Sequence, residues 1–264
     1  MATISDSSPQ TARSRAAMSA LTRLLVRDIR SLRRLIVPSR LEESLALWRT
    51  AVGALVDQYG AAAATLAAGS YDQQRADANA PGRFDAAPSG PLPEEQVEES
   101  LRWATKDLWP TDTDQEPFDV RLDQAERRAE AVAQKLVADQ GRATTRQSVH
   151  RDPGAVAYAR AAALGGCSFC KLMASRGAVY KNAQTAGRDA DERFTGDDSV
   201  VKFHDNCRCT IIPVFRGQTF ELSARAAEWD RLYREYAQGH SGDQLRLFRR
   251  ALAEHDRHPL PAAH

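Results

Sequence analysis

The sequence predicts an α+β protein: a mainly helical N-terminal region, a small α+β domain with a Cys/His cluster, then two C-terminal helices. Three observations carry that expectation. Apolar residues recur every three or four positions over most of the first 150 residues, the signature of one-faced helices. From there to about residue 217 short Val-, Ile- and Phe-rich runs stand between Gly-containing turns. All four cysteines fall in that second stretch, as Cys167-x-x-Cys170 and Cys207-x-Cys209, with His204 just before the second pair. The expected units are a mobile tail at 1–16, a helical region at 17–153, the Cys-bearing domain at 154–217, C-terminal helices at 218–256 and a tail at 257–264.

Taken in order, the first 16 residues are polar and aperiodic. Met18 to Val37 is predicted helical, with Leu21, Leu25, Ile29, Leu32 and Ile36 on one face and Arg23, Arg27, Arg30 and Arg34 on another; Pro38 ends it. The Arg stripe reads first as a solvated bundle face and second as a contact for DNA or an acidic partner. Ser39-Arg-Leu-Glu42 has capping-box spacing and should start a long helix to about Asp77, buried through Leu45, Trp48, Val52, Leu55, Val56 and Tyr59. Pro and Gly make 79–93 a loop. Glu94 to Leu108 is the next helix, with Val97, Leu101, Ala104 and Leu108 inward and Trp103 and Trp109 as packing anchors. An acidic loop follows at 110–117; it lacks the Gly and terminal Glu of a calcium-binding EF loop. Val120 to Val149 forms a long helix that Gly141 would kink or break, and its basic end, Arg142 to Arg151, reads as an exposed terminus or a phosphate contact.

Beyond Asp152-Pro153-Gly154, residues 155–163 are expected as a strand, Cys170 to Ser175 as a short helix closed by Arg176-Gly177, and 178–180, 200–204 and 210–215 as strands. Leu222–Tyr236 and Asp243–His255 read as the last two helices.

The chemistry lies in the cysteines. A C-x-x-C turn can aim two sulfurs at one point, and the alternate residues of C-x-C leave a strand on one face. With His204 the stretch offers five donors for a tetrahedral ion that takes four. Zinc suits a thiolate-rich set, and a site closed by Cys167, Cys170, Cys207 and Cys209 would be structural, with His204 as substitute ligand or outer partner. Reduced core cysteines, disulfides between the pairs and a redox C-x-x-C remain as alternatives.

A strongly electrostatic nucleic-acid binder is usually more basic, so the net charge of +1 does not argue for one. No apolar run reaches the about 18 residues of a spanning helix, so no membrane partner is expected, nor is a secretory signal. No P-loop, G-x-S-x-G, H-E-x-x-H or dinucleotide fingerprint occurs, and no enzyme is expected.

The run CSFCKLMASRGAVY, followed by FHDNCRCTIIPVF, resembles the MuF-like domain of tailed-phage minor head proteins, nearest to the versions in phages of actinobacteria. The resemblance covers about residues 150–217. It implies a head-morphogenesis protein inside the virion, associated with the portal and other capsid proteins, acting in capsid assembly or DNA packaging and ejection, with packaged DNA as a further contact and the host cytoplasm as the place of assembly. Two other readings stand beside it: an HNH-like zinc-containing nuclease drawing on His204-Asp205-Asn206, and a zinc-ribbon interaction module.

Overall fold

The computed structural model describes residues 2–109, 116–163, 165–179 and 209–257. The chain is mainly helical. In order come β1 (Ala2–Ser5), α1 (Pro9–Ser31), α2 (Leu41–Asp77), α3 (Glu94–Thr105), α4 (Phe118–Arg151), β2 (Ala155–Ala161), α5 (Ser168–Ser175), β3 (Thr210–Phe215), β4 (Gln218–Glu221), α6 (Ala224–Tyr236) and α7 (Gln244–Arg257).

α1 to α4 form a bundle around the residues that the 3.6 periodicity picked out. Leu25 and Ile29 of α1, Leu45, Trp48, Val52 and Val56 of α2, Val97 and Leu101 of α3, and Leu122 to Val137 of α4 share one apolar core. The spine is the pair α2 and α4, 37 and 34 residues long, or about 50 Å each at 1.5 Å per residue. Small residues let these helices approach closely. A Cβ on Gly141 would lie 3.2 Å from the Ala63 carbonyl oxygen, so that position has no room for a side chain without moving backbone. Gly141 therefore does not end α4, which runs on to Arg151; its lack of a Cβ serves the contact instead.

The start of the chain is not a tail. Ser8 caps α1, with Pro9 in its first turn, and Thr11 is buried. β1 pairs in parallel with β4, Ala2 opposite Gln218 through Ser5 opposite Glu221. Asp6 then accepts from the backbone nitrogen and hydroxyl of Ser223, both at 2.8 Å, at the N-terminus of α6. Ser39 does not cap α2 either. It lies in the 3-10 turn Pro38–Arg40, and Ser44 accepts from the Val37 nitrogen at 3.0 Å instead.

The Pro/Gly-rich stretch after α2 is strapped down. Arg75 donates to the Pro81 and Gly82 carbonyls, Asp72 accepts from the Ala86 nitrogen, and Ser89 bonds Thr144 and the Gln140 carbonyl. α3 buries Val97, Leu101 and Ala104, and Leu108 follows in a 3-10 turn. Trp103 and Trp109 are not buried anchors: they are 51% and 39% exposed.

Where α4 hands over to β2, Asp152 is fully buried and accepts from Arg75, the Tyr71 hydroxyl and the Gly154 nitrogen. Tyr71 stacks edge-on against Phe84 and Phe215, fixing the loop and β3 to the bundle. β2 pairs antiparallel with β3, Tyr158 opposite Pro213, with an irregularity between Ala155 and Ala157. The alanine-rich β2 is a strand because β3 supplies Ile211, Ile212, Val214 and Phe215 to bury it; pairing overrides propensity. Ala178 and Val179 are not in a strand. The expected elements over 180–208 and the acidic loop at 110–115 lie outside the described residues.

Candidate functional site

β2 leads into a tight turn before α5. Gly166 donates to the Ala163 carbonyl at 2.9 Å, and a Cβ there would meet that oxygen at 2.9 Å, so the turn requires glycine. Cys167 then takes the N-cap position of α5. Its Sγ accepts from the Cys170 nitrogen at 3.4 Å, where a Ser or Asp oxygen ordinarily sits. This fixes the C-x-x-C turn with its first sulfur held by the backbone of the second cysteine. Gly177, at φ +70°, ends the helix in the left-handed region, as the Arg176-Gly177 signal predicts.

Cys170 and Cys209 are buried in one apolar cluster with Leu172, Met173, Trp229, Leu232 and Phe248, and half-buried Cys167 packs against it. α5, the start of β3, α6 and α7 all contribute to it. Three of the five predicted site residues therefore share one small core. Cys207 and His204 lie outside the described residues. Among the described residues no group of three or more His, Cys, Asp or Glu side chains is placed to hold a metal ion.

Cations ring this core. Arg142 of α4, itself buried, donates from Nε to the Cys209 carbonyl at 3.0 Å and from Nη1 to Asp139 at 2.6 Å. Arg15 of α1 donates to the Ala162 carbonyl at 2.8 Å. Arg160 of β2 lies over Phe169, Lys171 over Trp229, and Arg249 reaches Ser168. The basic end of α4 is thus not an exposed terminus: Arg142, Thr144, Thr145 and Ser148 are buried, while His150 and Arg151 are exposed.

The sequence model of the VG15 protein family matches residues 5–238, from the end of β1 to just past α6. The chain belongs to the VG15 protein family. It is a phage-encoded protein. Neither the curated proteins nor the solved structures give a match.

The VG15 match includes the bundle and all of the cysteine core except the residues that α7 contributes, consistent with the contacts of bundle and core through Arg142 and Arg15. The Arg stripe of this VG15 chain is partly consumed inside the fold. Arg30 grips Glu130 of α4 through two bonds at 2.7 and 3.0 Å, and Arg27 pairs with Asp28. Arg33, which the periodicity did not single out, reaches Asp123 and Glu126. Among the described residues no helix is long and apolar enough to cross a membrane.

Proposed function

We propose that this VG15 family protein is a minor head protein of the virion, MuF-like in its cysteine-bearing domain. It stands at the portal inside the capsid and acts in head assembly or in DNA packaging and ejection. The single observation that carries this reading is the pair of motifs, CSFC at 167–170 and FHDNCRC at 203–209, in a chain of a phage family. Its partners in this reading are the portal and other capsid proteins. The exposed Leu47, Trp103 and Trp109 offer apolar surface for them. DNA contact would rest on Arg23, Arg27 and Arg34, since Arg30 is committed to Glu130.

In the same reading Cys167, Cys170, Cys207 and Cys209 hold a structural zinc, with His204 as substitute or outer partner. The donor set is thiol-rich: Cys170 and Cys209 are buried in one core with Cys167 packed against it, and the Cys167 sulfur accepts from a backbone donor. Bound zinc would supply a cross-link to a core too small to be stable by apolar burial alone. The chain's own residues do the positioning: Gly166 sets the turn, and Arg142 seats the Cys209 backbone against α4. The protein is read as non-enzymatic. The HNH-like alternative needs a second catalytic histidine downstream, and no histidine falls between His204 and His240.

The test is co-expression with the portal protein of the same phage, followed by sedimentation and a nuclease assay with magnesium or manganese. Comigration with the portal and intact DNA is the expected result. Failure to comigrate, together with DNA cleavage lost in His204→Ala, would overturn the reading in favour of the nuclease.

A further inference from the structure

Between α1, α2 and α4, beside the start of β3, lies a cavity of about 480 Å³. That is within the range of small-molecule sites. It exists because the facing residues are small or flexible: Ala17, Met18, Ala67, Ala138 and Gly141 line much of it. Its charge is one-sided. Arg13, Arg15 and Arg142 are on the wall, and no Asp or Glu is among the described residues that line it, although the whole chain carries 35 acids against 36 bases.

Arg142 is matched by Asp139. The other two arginines differ from Arg27 and Arg30 further along α1, which pair with Asp28 and Glu130. Arg15 donates Nη2 to a neutral carbonyl, and its buried Nε has no partner among the described residues. Burial pushes the Arg15 guanidinium below its ordinary value, and Asp6 and Cys209 offset this only through space. Arg13 is exposed at the rim. An apolar hollow edged by guanidiniums that form no ion pair among the described residues matches an occupant with an apolar body and one acidic group.

We infer that this cavity binds a small anionic amphiphile, its apolar part against Ala67, Ala138 and Met18 and its acid facing Arg13 and Arg15. The inference does not depend on the head-protein reading or on metal at the cysteines.

The probes are 1-anilinonaphthalene-8-sulfonate and its uncharged counterpart N-phenyl-1-naphthylamine, titrated by fluorescence into the full chain. The sulfonate is expected to saturate one site and to bind at least about tenfold more tightly than the neutral probe, the scale of one charged hydrogen bond. Arg13→Gln and Arg15→Gln should each weaken the sulfonate by about tenfold and leave the neutral probe unchanged. Ala67→Phe, which fills the hollow, should abolish both while the far-UV spectrum is kept. Arg15→Gln also removes the Ala162 contact, so the exposed Arg13 is the cleaner arm. Equal affinity for the two probes, indifference to Arg13→Gln, or binding that survives Ala67→Phe would overturn the inference; the last result would place the probe on surface patches such as Trp103.

Discussion

Replacing Asp152 by Ala should unfold this protein more readily than any single change on its surface. The carboxylate is wholly buried where α4 turns into β2 and accepts from three donors: Arg75 Nε at 2.9 Å, the Tyr71 hydroxyl at 3.0 Å and the Gly154 nitrogen at 2.7 Å. Arg75 is only 11% exposed in its side chain and has no second carboxylate among the described residues. Breaking a buried ion pair by removing one partner costs about 3–5 kcal/mol, because the other charge stays buried. The orphaned Tyr71 and Gly154 donors add about 1 kcal/mol each where water cannot reach them. These terms overlap, so about 4–5 kcal/mol is expected, a large part of the 5–15 kcal/mol typical of a whole domain. Burial, then the charge of Asp152 and their hydrogen bond, raise the Tyr71 hydroxyl far above its ordinary range, so it remains a donor at any working pH. The assay is urea unfolding at pH 7 of the wild type, Asp152→Ala, Arg75→Ala and the double variant. The double should cost clearly less than the sum of the singles. A loss below about 1 kcal/mol for Asp152→Ala, or strictly additive losses, would refute the reasoning.

Further predictions follow from the same contacts. Asp6→Ala frees the first turn of α6 and should cost about 1–2 kcal/mol, the worth of a helix cap, with faster hydrogen exchange confined to β1, β4 and α6. Gly166→Ala places a Cβ 2.9 Å from a backbone oxygen and should cost about 1–3 kcal/mol by thermal unfolding; a neutral outcome would mean the turn relaxes freely. Under the zinc reading, Cys170→Ser or chelation should lower stability by several kcal/mol, read by calorimetry beside metal content and thiol count. Unchanged stability after chelation would remove zinc from the account. If DNA touches the Arg stripe, Arg23→Ala with Arg27→Ala and Arg34→Ala should weaken binding and flatten its salt dependence, while folding stays intact because none of the three bridges to another helix among the described residues.

The helices were legible because each buries one face, and that demand writes itself as a 3.6-residue period from Leu21 to Val137. What periodicity cannot show is which distant segment completes a surface. β1 and β4 are four residues each and more than 200 positions apart, so neither has a pattern strong enough to read alone. Asp6 looked like tail sequence because its partner, Ser223, lies in another part of the chain. Arg142 looked exposed because a charged residue near a helix end ordinarily is. The Cys209 carbonyl beside it and Asp139 in the same turn offset the cost of its burial. Trp103 and Trp109 err in the other direction: size suggested burial, yet α3 turns its Val97–Leu101–Ala104 stripe inward and leaves them outside. In the cysteine core, residue type alone identified the members. Cys170 and Cys209 are buried in one apolar core with Cys167 against it, and Cys207 and His204 fall outside the described residues. The cavity left no trace in the sequence, because Ala67, Ala138 and Gly141 read as ordinary bundle contacts.

The most direct test of the central claim is quantitative mass spectrometry of gradient-purified particles of the parent phage, with and without external protease. A minor head protein at the portal should be present in every preparation at a low, fixed ratio to the portal subunit and should be protected from protease in intact heads. Absence from purified particles, with the protein found only in the host lysate, would contradict the account.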